Sequence, residues 1–230
     1  MKRVIGIGNA LTDVLVNLRN EDILHAHNIE RGSMSLVDSA LQSDISKEVA
    51  GLPHSLSLGG SAGNTIRAMA HLGTEVGFIG KVGNDTTGEF YVEALRNIGV
   101  APYILYSYQR SGKCVSLISA DGERTMVTHL GAAADLQPED IDGNIFDSYD
   151  CLYVEGYLVQ DHNLIRTAVE QAKAHGLKVA IDLASYNVVE ENRDFLRQLV
   201  TLNFRVAIIF KHLLNHRCDY VAYIHKFTPL

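Results

Sequence analysis

The chain has 230 residues, 47% of them hydrophobic and 20% charged, with a formal net charge of −7. That length and mixture fit one sizeable α/β domain with a small appendage, and the acidic balance argues against nucleic acid or an anionic membrane as the main partner. The three cysteines, Cys114, Cys151 and Cys218, lie far apart and form no CxxC pair, so neither a disulfide framework nor a zinc site is suggested, and thiols in a reducing cytosol are expected. Met-Lys-Arg leads at once into a strand-like run rather than a signal peptide. No apolar stretch reaches the roughly 18 residues that a membrane helix needs.

Val4-Ile5-Gly6-Ile7-Gly8 reads as a short buried strand, the first of a parallel sheet. Gly6-x-Gly8 invites a dinucleotide reading, but Leu11 stands where that fingerprint wants glycine. Asp13 follows the strand, where α/β folds place ligand groups; its carboxylate can accept two hydrogen bonds from vicinal hydroxyls, or it is a solvated turn acid. Residues 14–37 mix short apolar alternation with polar turns. An apolar or turn-like segment, 52–58, then meets Gly59-Gly60-Ser61-Ala62-Gly63-Asn64, which opens an amphipathic helix. Its buried face is expected to be Ile66, Met69, Ala70 and Leu72, with Gly73 as the stop. Gly59, Gly60 and Gly63 clear β-carbons from the helix N-terminus, so backbone N–H groups can approach a ligand closely. Asn64 can donate and accept, which suits a sugar hydroxyl. On spacing alone, an ordinary loop with a helix cap fits equally well.

Asp85 or Thr86 caps a second helix running to about Ile98, with Phe90, Tyr91, Ala94, Leu95 and Ile98 on its apolar face and Gly99 at its end. The runs 114–119 and 124–130 form a hairpin about the Asp121-Gly122 turn. Pro138 begins a short helix. Cys151-Leu152-Tyr153-Val154 is the next strand, with Glu155 at its exit, either touching substrate or held in a structural salt bridge. Asp161 caps a helix through His175, closed by Gly176; Lys178-Val179-Ala180-Ile181 is another strand, with Asp182 at its exit; a further helix spans 190–199. Strand and helix alternating in this rhythm mean right-handed βαβ units and a mostly parallel sheet.

The run Gly59-Gly60-x-x-x-Asn64, Gly73, Val76-Gly77-Phe78-Ile79-Gly80-Lys81-Val82-Gly83-Asn84-Asp85 and Gly88 resembles the first signature of the ribokinase-like (PfkB) family of sugar and nucleoside kinases, and looks most like its adenosine-kinase branch. The similarity continues in Gly8-Asn9-Ala10-Leu11-Thr12-Asp13 and in Asp121-Gly122-Glu123-Arg124-Thr125-Met126, followed by Gly131-Ala132-Ala133, and runs to about Val200. The resemblance implies a ribokinase-like three-layer α/β/α fold with a mostly parallel sheet, plus a small β lid built from segments about 14–37 and 100–130. It implies ATP-dependent phosphorylation of a sugar or nucleoside hydroxyl with Mg2+, in the cytoplasm. It assigns substrate binding to Asn9, Asp13, Gly59, Gly60, Ser61, Asn64 and Glu155, and allows a homodimer through the lid. A lid suits the chemistry, because a kinase must exclude water from the transferred phosphoryl group.

Two places depart from the family pattern. Asp85-Thr86-Thr87-Gly88 mimics the start of the second signature, Asp-Thr-x-Gly-Ala-Gly-Asp, but Glu89-Phe90-Tyr91 follows; Asn187-x-x-Glu190 copies a metal and phosphate motif about one strand too early. Beyond Val200 the composition changes: 201–230 hold no glycine, four basic residues, the single acid Asp219, and His212, His216 and His225. His212 and His216 have the spacing of two ligands on a helix face, with no third at a matching distance. The expectation is therefore an atypical tail, a fold lacking its C-terminal part, incomplete ATP and Mg2+ sites, and no assignable catalytic residue or metal site. The alternative is a non-catalytic remnant that only binds the sugar or nucleoside.

Overall fold

A computed structural model describes residues 2–201 and 206–209. Two sheets organise it. The larger has six parallel strands: β1 (Val4–Ile7), β5 (Val76–Gly83), β6 (Val100–Ser107), β9 (Cys151–Val154), β10 (Lys178–Asp182) and β11 (Val206–Ile209), in the order β11-β10-β9-β1-β5-β6. The smaller is mixed: β2 (Leu11–Asn17), β3 (Met34–Leu36), β4 (His54–Leu58), β7 (Gly112–Ile118) and β8 (Arg124–His129), in the order β3-β8-β7-β2-β4. The helices are α1 (Asp22–Ala26), α2 (Ser39–Val49), α3 (Ser61–His71), α4 (Thr86–Asn97), α5 (His162–Ala174), α6 (Tyr186–Glu191) and α7 (Arg193–Thr201).

Strand alternation assigns the layers. Leu152, Val154, Val179 and Ile181 join α5 and α7 in one core, with Leu164, Ile165, Ala168, Val169, Phe195 and Leu199. Tyr153, Ala180, Phe78 and Val82 point the other way, into a core with Ile66 of α3 and Tyr91 and Leu95 of α4. Helices on both faces of a parallel sheet are the arrangement that near-continuous apolar strands require. A third core, Val16, Leu24, Ile45, Val49, Val115, Leu117 and Val127, lies between one face of the small sheet and helices α1 and α2.

The structure corrects several expectations. Segment 100–107 is not lid: as β6 it pairs in parallel with β5 and buries Val100 in the main sheet. The small sheet instead includes β4, antiparallel to β2, from the segment read as apolar or turn-like. Leu72 is 84% exposed, because α3 ends at His71 and Leu72 is its C-cap rather than a member of the buried face. Pro138 does open a short helix, the single 3-10 turn Pro138–Asp140. The helix expected over 190–199 is two helices broken at Asn192, whose amide donates to the Val188 carbonyl at 2.9 Å and whose carbonyl oxygen meets His162 Nε2 at 2.8 Å. The Asn192 backbone keeps its own bonds across the junction, its N–H donating to the Val188 carbonyl at 3.1 Å and its carbonyl accepting from the Leu196 N–H at 2.9 Å. Beyond Val200, β11 adds one parallel strand beside β10; His212, His216 and His225 lie outside the described residues.

Candidate active site

Three C-terminal strand ends, those of β1, β9 and β10, converge on the N-terminus of α3. Gly60 is the N-cap of α3 with φ 77° and ψ 144°, a conformation that essentially only glycine adopts. A β-carbon there would also collide with the Asn9 carbonyl oxygen. One at Gly59 would collide with the Asp13 carboxylate, so that carboxylate rests directly against the loop backbone. The Gly59 N–H donates to the Leu11 carbonyl at 2.8 Å and ties the loop to β2. Of the predicted site residues, the structure brings Asn9, Asp13, Gly59, Gly60, Ser61 and Glu155 into one neighbourhood, with Asn64 one turn along α3.

Two acids hold the loop from behind. Glu155, 1% exposed, accepts from the Asn9 amide at 2.6 Å and from the Ala62 backbone N–H at 2.9 Å. Neither a salt bridge nor an open approach to a ligand accompanies it among the described residues. Burial pushes its carboxyl up to about 7, aided by the nearby Asp182 charge and opposed by the Ala62 and Asn9 donors. Asp182, 5% exposed, accepts from Ser61 Oγ at 2.8 Å, Tyr153 OH at 3.1 Å, Gly156 N–H at 3.0 Å and Ala184 N–H at 2.8 Å. Thr65 Oγ1 completes the chain, donating to the Ser61 carbonyl at 3.1 Å and meeting Tyr153 OH at 3.3 Å. From the α4 side, the fully buried Tyr91 places its hydroxyl 3.4 Å from the Gly59 carbonyl; burial raises it well above the ordinary tyrosine range.

The glycine-cleared helix end is therefore less bare than its sequence predicts. The Ala62 N–H and the Ser61 hydroxyl both turn inward, to Glu155 and Asp182. The side-chain carboxamide of Asn64 is different: the residue is half-buried, its backbone N–H donates to the Gly60 carbonyl at 2.9 Å, and the carboxamide makes no hydrogen bond to a described residue. Asp13, half-buried on β2, shares the outward side of the loop with Gly59. Sequence reasoning placed Asp182 at a strand exit without giving it a role, and read Tyr91 only as core. The signal for both is geometric, since their partners are 121 and 32 residues away.

Among the described residues, no group of three His, Cys, Asp or Glu side chains could hold a metal ion. The N-termini of α4 and α5 already carry acids: Asp85 accepts from Gly88 N–H at 2.9 Å, and Asp161 accepts from Asn163 and Leu164 N–H at 2.9 and 3.0 Å. A carboxylate in that position repels the anion a bare helix end would attract. Asp85 also accepts from the Ser111 backbone and hydroxyl at 2.9 and 2.7 Å, anchoring the start of β7, which is the actual work of the residue that mimics the second signature. Among the described residues, no helix is long and apolar enough to cross a membrane.

The profile of the pfkB family carbohydrate kinases matches residues 39–226, continuing past the composition change near Val200. A 5-dehydro-2-deoxygluconokinase of Geobacillus kaustophilus is 30% identical over 135 residues, 55% of this chain and 40% of that protein. An aminoimidazole riboside kinase of Salmonella typhimurium is 27% identical over 168 residues, 70% of this chain and 52% of that protein. The chain thus spans about half the length, or less, of these curated relatives. In structure, the adenosine kinase of Sinorhizobium meliloti superposes with a TM-score of 0.76 at 26% identity, covering 91% of this chain and 75% of that one.

Proposed function

Since this chain belongs to the pfkB family of carbohydrate kinases, we propose that it recognises a sugar or nucleoside by its hydroxyls for ATP-dependent phosphorylation. Asp13 accepts from vicinal hydroxyls, Gly59 and Gly60 let the ring approach the backbone, and Asn64 donates to or accepts from a further hydroxyl. The observation that carries this reading is the pairing of an Asp13 carboxylate against Gly59 with an Asn64 carboxamide lacking a partner among the described residues. Asn9, Ser61 and Glu155 act one step back. They hold the loop in shape and make no contact with the polyol.

The family implies ATP as phosphoryl donor and Mg2+ as its companion. When bound, they supply the transferred group and neutralise its developing charge. This chain's described residues contribute binding, orientation and the lid that keeps water away. A second reading, a protein that binds the polyol without turning it over, is favoured by one observation: α4 and α5 present acids where a phosphate would need free N–H groups. Pairing of two copies through the lid would have to use its Asp13-bearing face or the edge strands β3 and β4, because α1 and α2 cover the other face.

Titration calorimetry with adenosine and with ribose tests the polyol site, and a coupled assay with ATP and Mg2+ tests turnover. Binding with turnover supports the kinase reading; binding without it supports the second. Asp13→Ala is expected to abolish binding while leaving the circular dichroism spectrum unchanged. Unaltered affinity in that variant would refute the site.

A further inference from the structure

The candidate site draws on two bodies. Asp13 belongs to the small sheet and Asn64 to α3, so what a polyol meets depends on the gap between them. Arg67, half-buried on α3, bridges that gap one step to the side. It follows Asn64 by three residues, which makes the two side chains neighbours on the helix surface, with about 5–6 Å between their Cβ atoms. Its Nη1 donates to Ser57 Oγ at 2.5 Å and to the Leu58 carbonyl oxygen at 3.3 Å. Ser57 is the β4 residue paired in register with Asp13 across the antiparallel ladder, which puts both on one face with Cβ atoms about 4.5–5.5 Å apart. Asn64 and Arg67 on the helix thus face Asp13 and Ser57 on the sheet, and the Arg67 guanidinium forms a strut alongside the space between Asn64 and Asp13. Leu58, its second acceptor, is the last residue of β4 and leads directly into Gly59, the residue packed against the Asp13 carboxylate. Among the described residues the only ladder partner of β4 is β2, so side-chain contacts such as this one, rather than a second strand, hold its outer side.

We propose that Arg67 is a positioning residue for the polyol site: by tying α3 to the end of β4 it fixes the separation of Asp13 and Asn64, and it does so without touching the ligand. The proposal rests on the reading of Asp13 and Asn64 given above. Two hydrogen-bonding groups on separate elements select among hydroxyl patterns only while their spacing is held to within about 0.5 Å, which requires supporting hydrogen bonds behind them. The acids behind the loop supply half of that support. Glu155 and Asp182, at the ends of β9 and β10, bind the Ala62 N–H and the Ser61 hydroxyl and so anchor α3 to the large sheet. Arg67 supplies the other half, anchoring α3 to the small sheet that carries Asp13. Its bonds are charge-assisted, hence stronger than bonds between neutral groups.

Calorimetric titration of ribose, adenosine and the 2′- and 3′-deoxyadenosines into the wild type, Arg67→Ala, Arg67→Lys, Ser57→Ala and the Arg67→Ala/Ser57→Ala double variant tests this, with circular dichroism showing that each is folded. Loosening one hydrogen bond to the ligand lowers affinity roughly 5- to 10-fold, so Arg67→Ala should weaken ribose and adenosine together by about that factor. In the same variant the preference for adenosine over the deoxyadenosine that lacks a held hydroxyl should shrink, because the two-point grip is lost. A residue that only stabilises the fold would leave that preference unchanged. Arg67→Lys, which keeps a charged donor, should recover most of the loss. Ser57→Ala should weaken binding in part, and the double variant should bind no more weakly than Arg67→Ala alone, since the two residues act through one bond. Full affinity in Arg67→Ala, or a loss that leaves the deoxyadenosine preference intact, would overturn the proposal. Fully additive losses would do the same, because Arg67 would then act without Ser57. Should Arg67→Ala fail to fold, Ser57→Ala carries the test, and undiminished affinity there overturns the proposal. A wild type that binds neither ribose nor adenosine refutes the Asp13 site itself; one that binds them, with Arg67→Ala unaltered, refutes only the role given to Arg67.

Discussion

The loop at the head of α3 and the β3 edge of the small sheet are built on opposite principles. In the loop nearly every polar group is satisfied inward. Glu155 and Asp182 between them accept from two side chains and a tyrosine hydroxyl and from three backbone N–H groups. At that edge the side chains are only partly engaged: the Arg124 guanidinium has one hydroxyl partner among the described residues, and Leu36 lies in solvent. The contrast reflects the loop's task. A loop that must present backbone to a ligand is fixed by buried acids, because an unsatisfied group there would cost about 1–3 kcal/mol.

The contrast breaks most severely at Gly60. Gly60→Val would place a branched side chain at φ 77° and against the Asn9 carbonyl oxygen. Strain at such a backbone position and the overlap together should cost about 3–5 kcal/mol. Thermal unfolding should show a large drop in Tm, and polyol binding should vanish in whatever remains folded. A near-wild-type Tm would mean that the loop can relax, and that the inward network is not what shapes it. Asp182→Ala comes next. It leaves Ser61, Tyr153, Gly156 and Ala184 without their acceptor, at a cost of about 3–4 kcal/mol, since such losses do not add fully. Denaturant titration measures it; a loss below about 1 kcal/mol would show that water replaces the carboxylate without penalty.

Glu155→Gln is a milder change, and pH reads it. In the folded chain the Glu155 carboxyl sits near 7, above its ordinary 4.5, chiefly through burial. The native state therefore holds the proton more tightly than the unfolded one. Its contribution to stability is fully present below about 4.5 and is lost as pH rises through about 7. Replacing it with a neutral isostere should flatten that dependence, a difference on the order of 2–3 kcal/mol between the two chains across pH 5 to 8. The Asn9 carboxamide can turn to face the new amide, so the fold should survive. Parallel stability profiles for the two chains over this range would remove the titrating carboxyl from the account.

What the sequence made legible follows the same division. Periodicity and helix stops placed α3, α4 and α5 within a residue or two, because these segments answer to local rules: a side chain caps α4 and α5, and an apolar stripe faces the sheet. The spacing of Gly59, Gly60 and Asn64 marked the loop. Hidden was the direction in which its groups point. Ser61 reads as an exposed hydroxyl beside a ligand until β10 is seen to bring Asp182 to it across 121 residues. Glu155 reads equally as a ligand or a salt bridge, and among the described residues it instead accepts from an amide and a backbone N–H. The membership of β4 in the small sheet was equally hidden: Ser55-Leu56-Ser57-Leu58 alternates over only four residues, and it is antiparallel pairing with β2, a tertiary contact, that makes it a strand.

The smallest effect is expected at the β3 edge. Leu36 is the last residue of a three-residue edge strand, its side chain 63% exposed and outside the core formed with α1 and α2. Leu36→Ser removes apolar surface that water already reaches, so denaturant unfolding should move by no more than about 0.5 kcal/mol, the usual range for a surface change. A stability loss above about 1 kcal/mol would place Leu36 in packing that the fold depends on. That edge would then be a second structural surface like the loop, and the contrast between the two regions would fail.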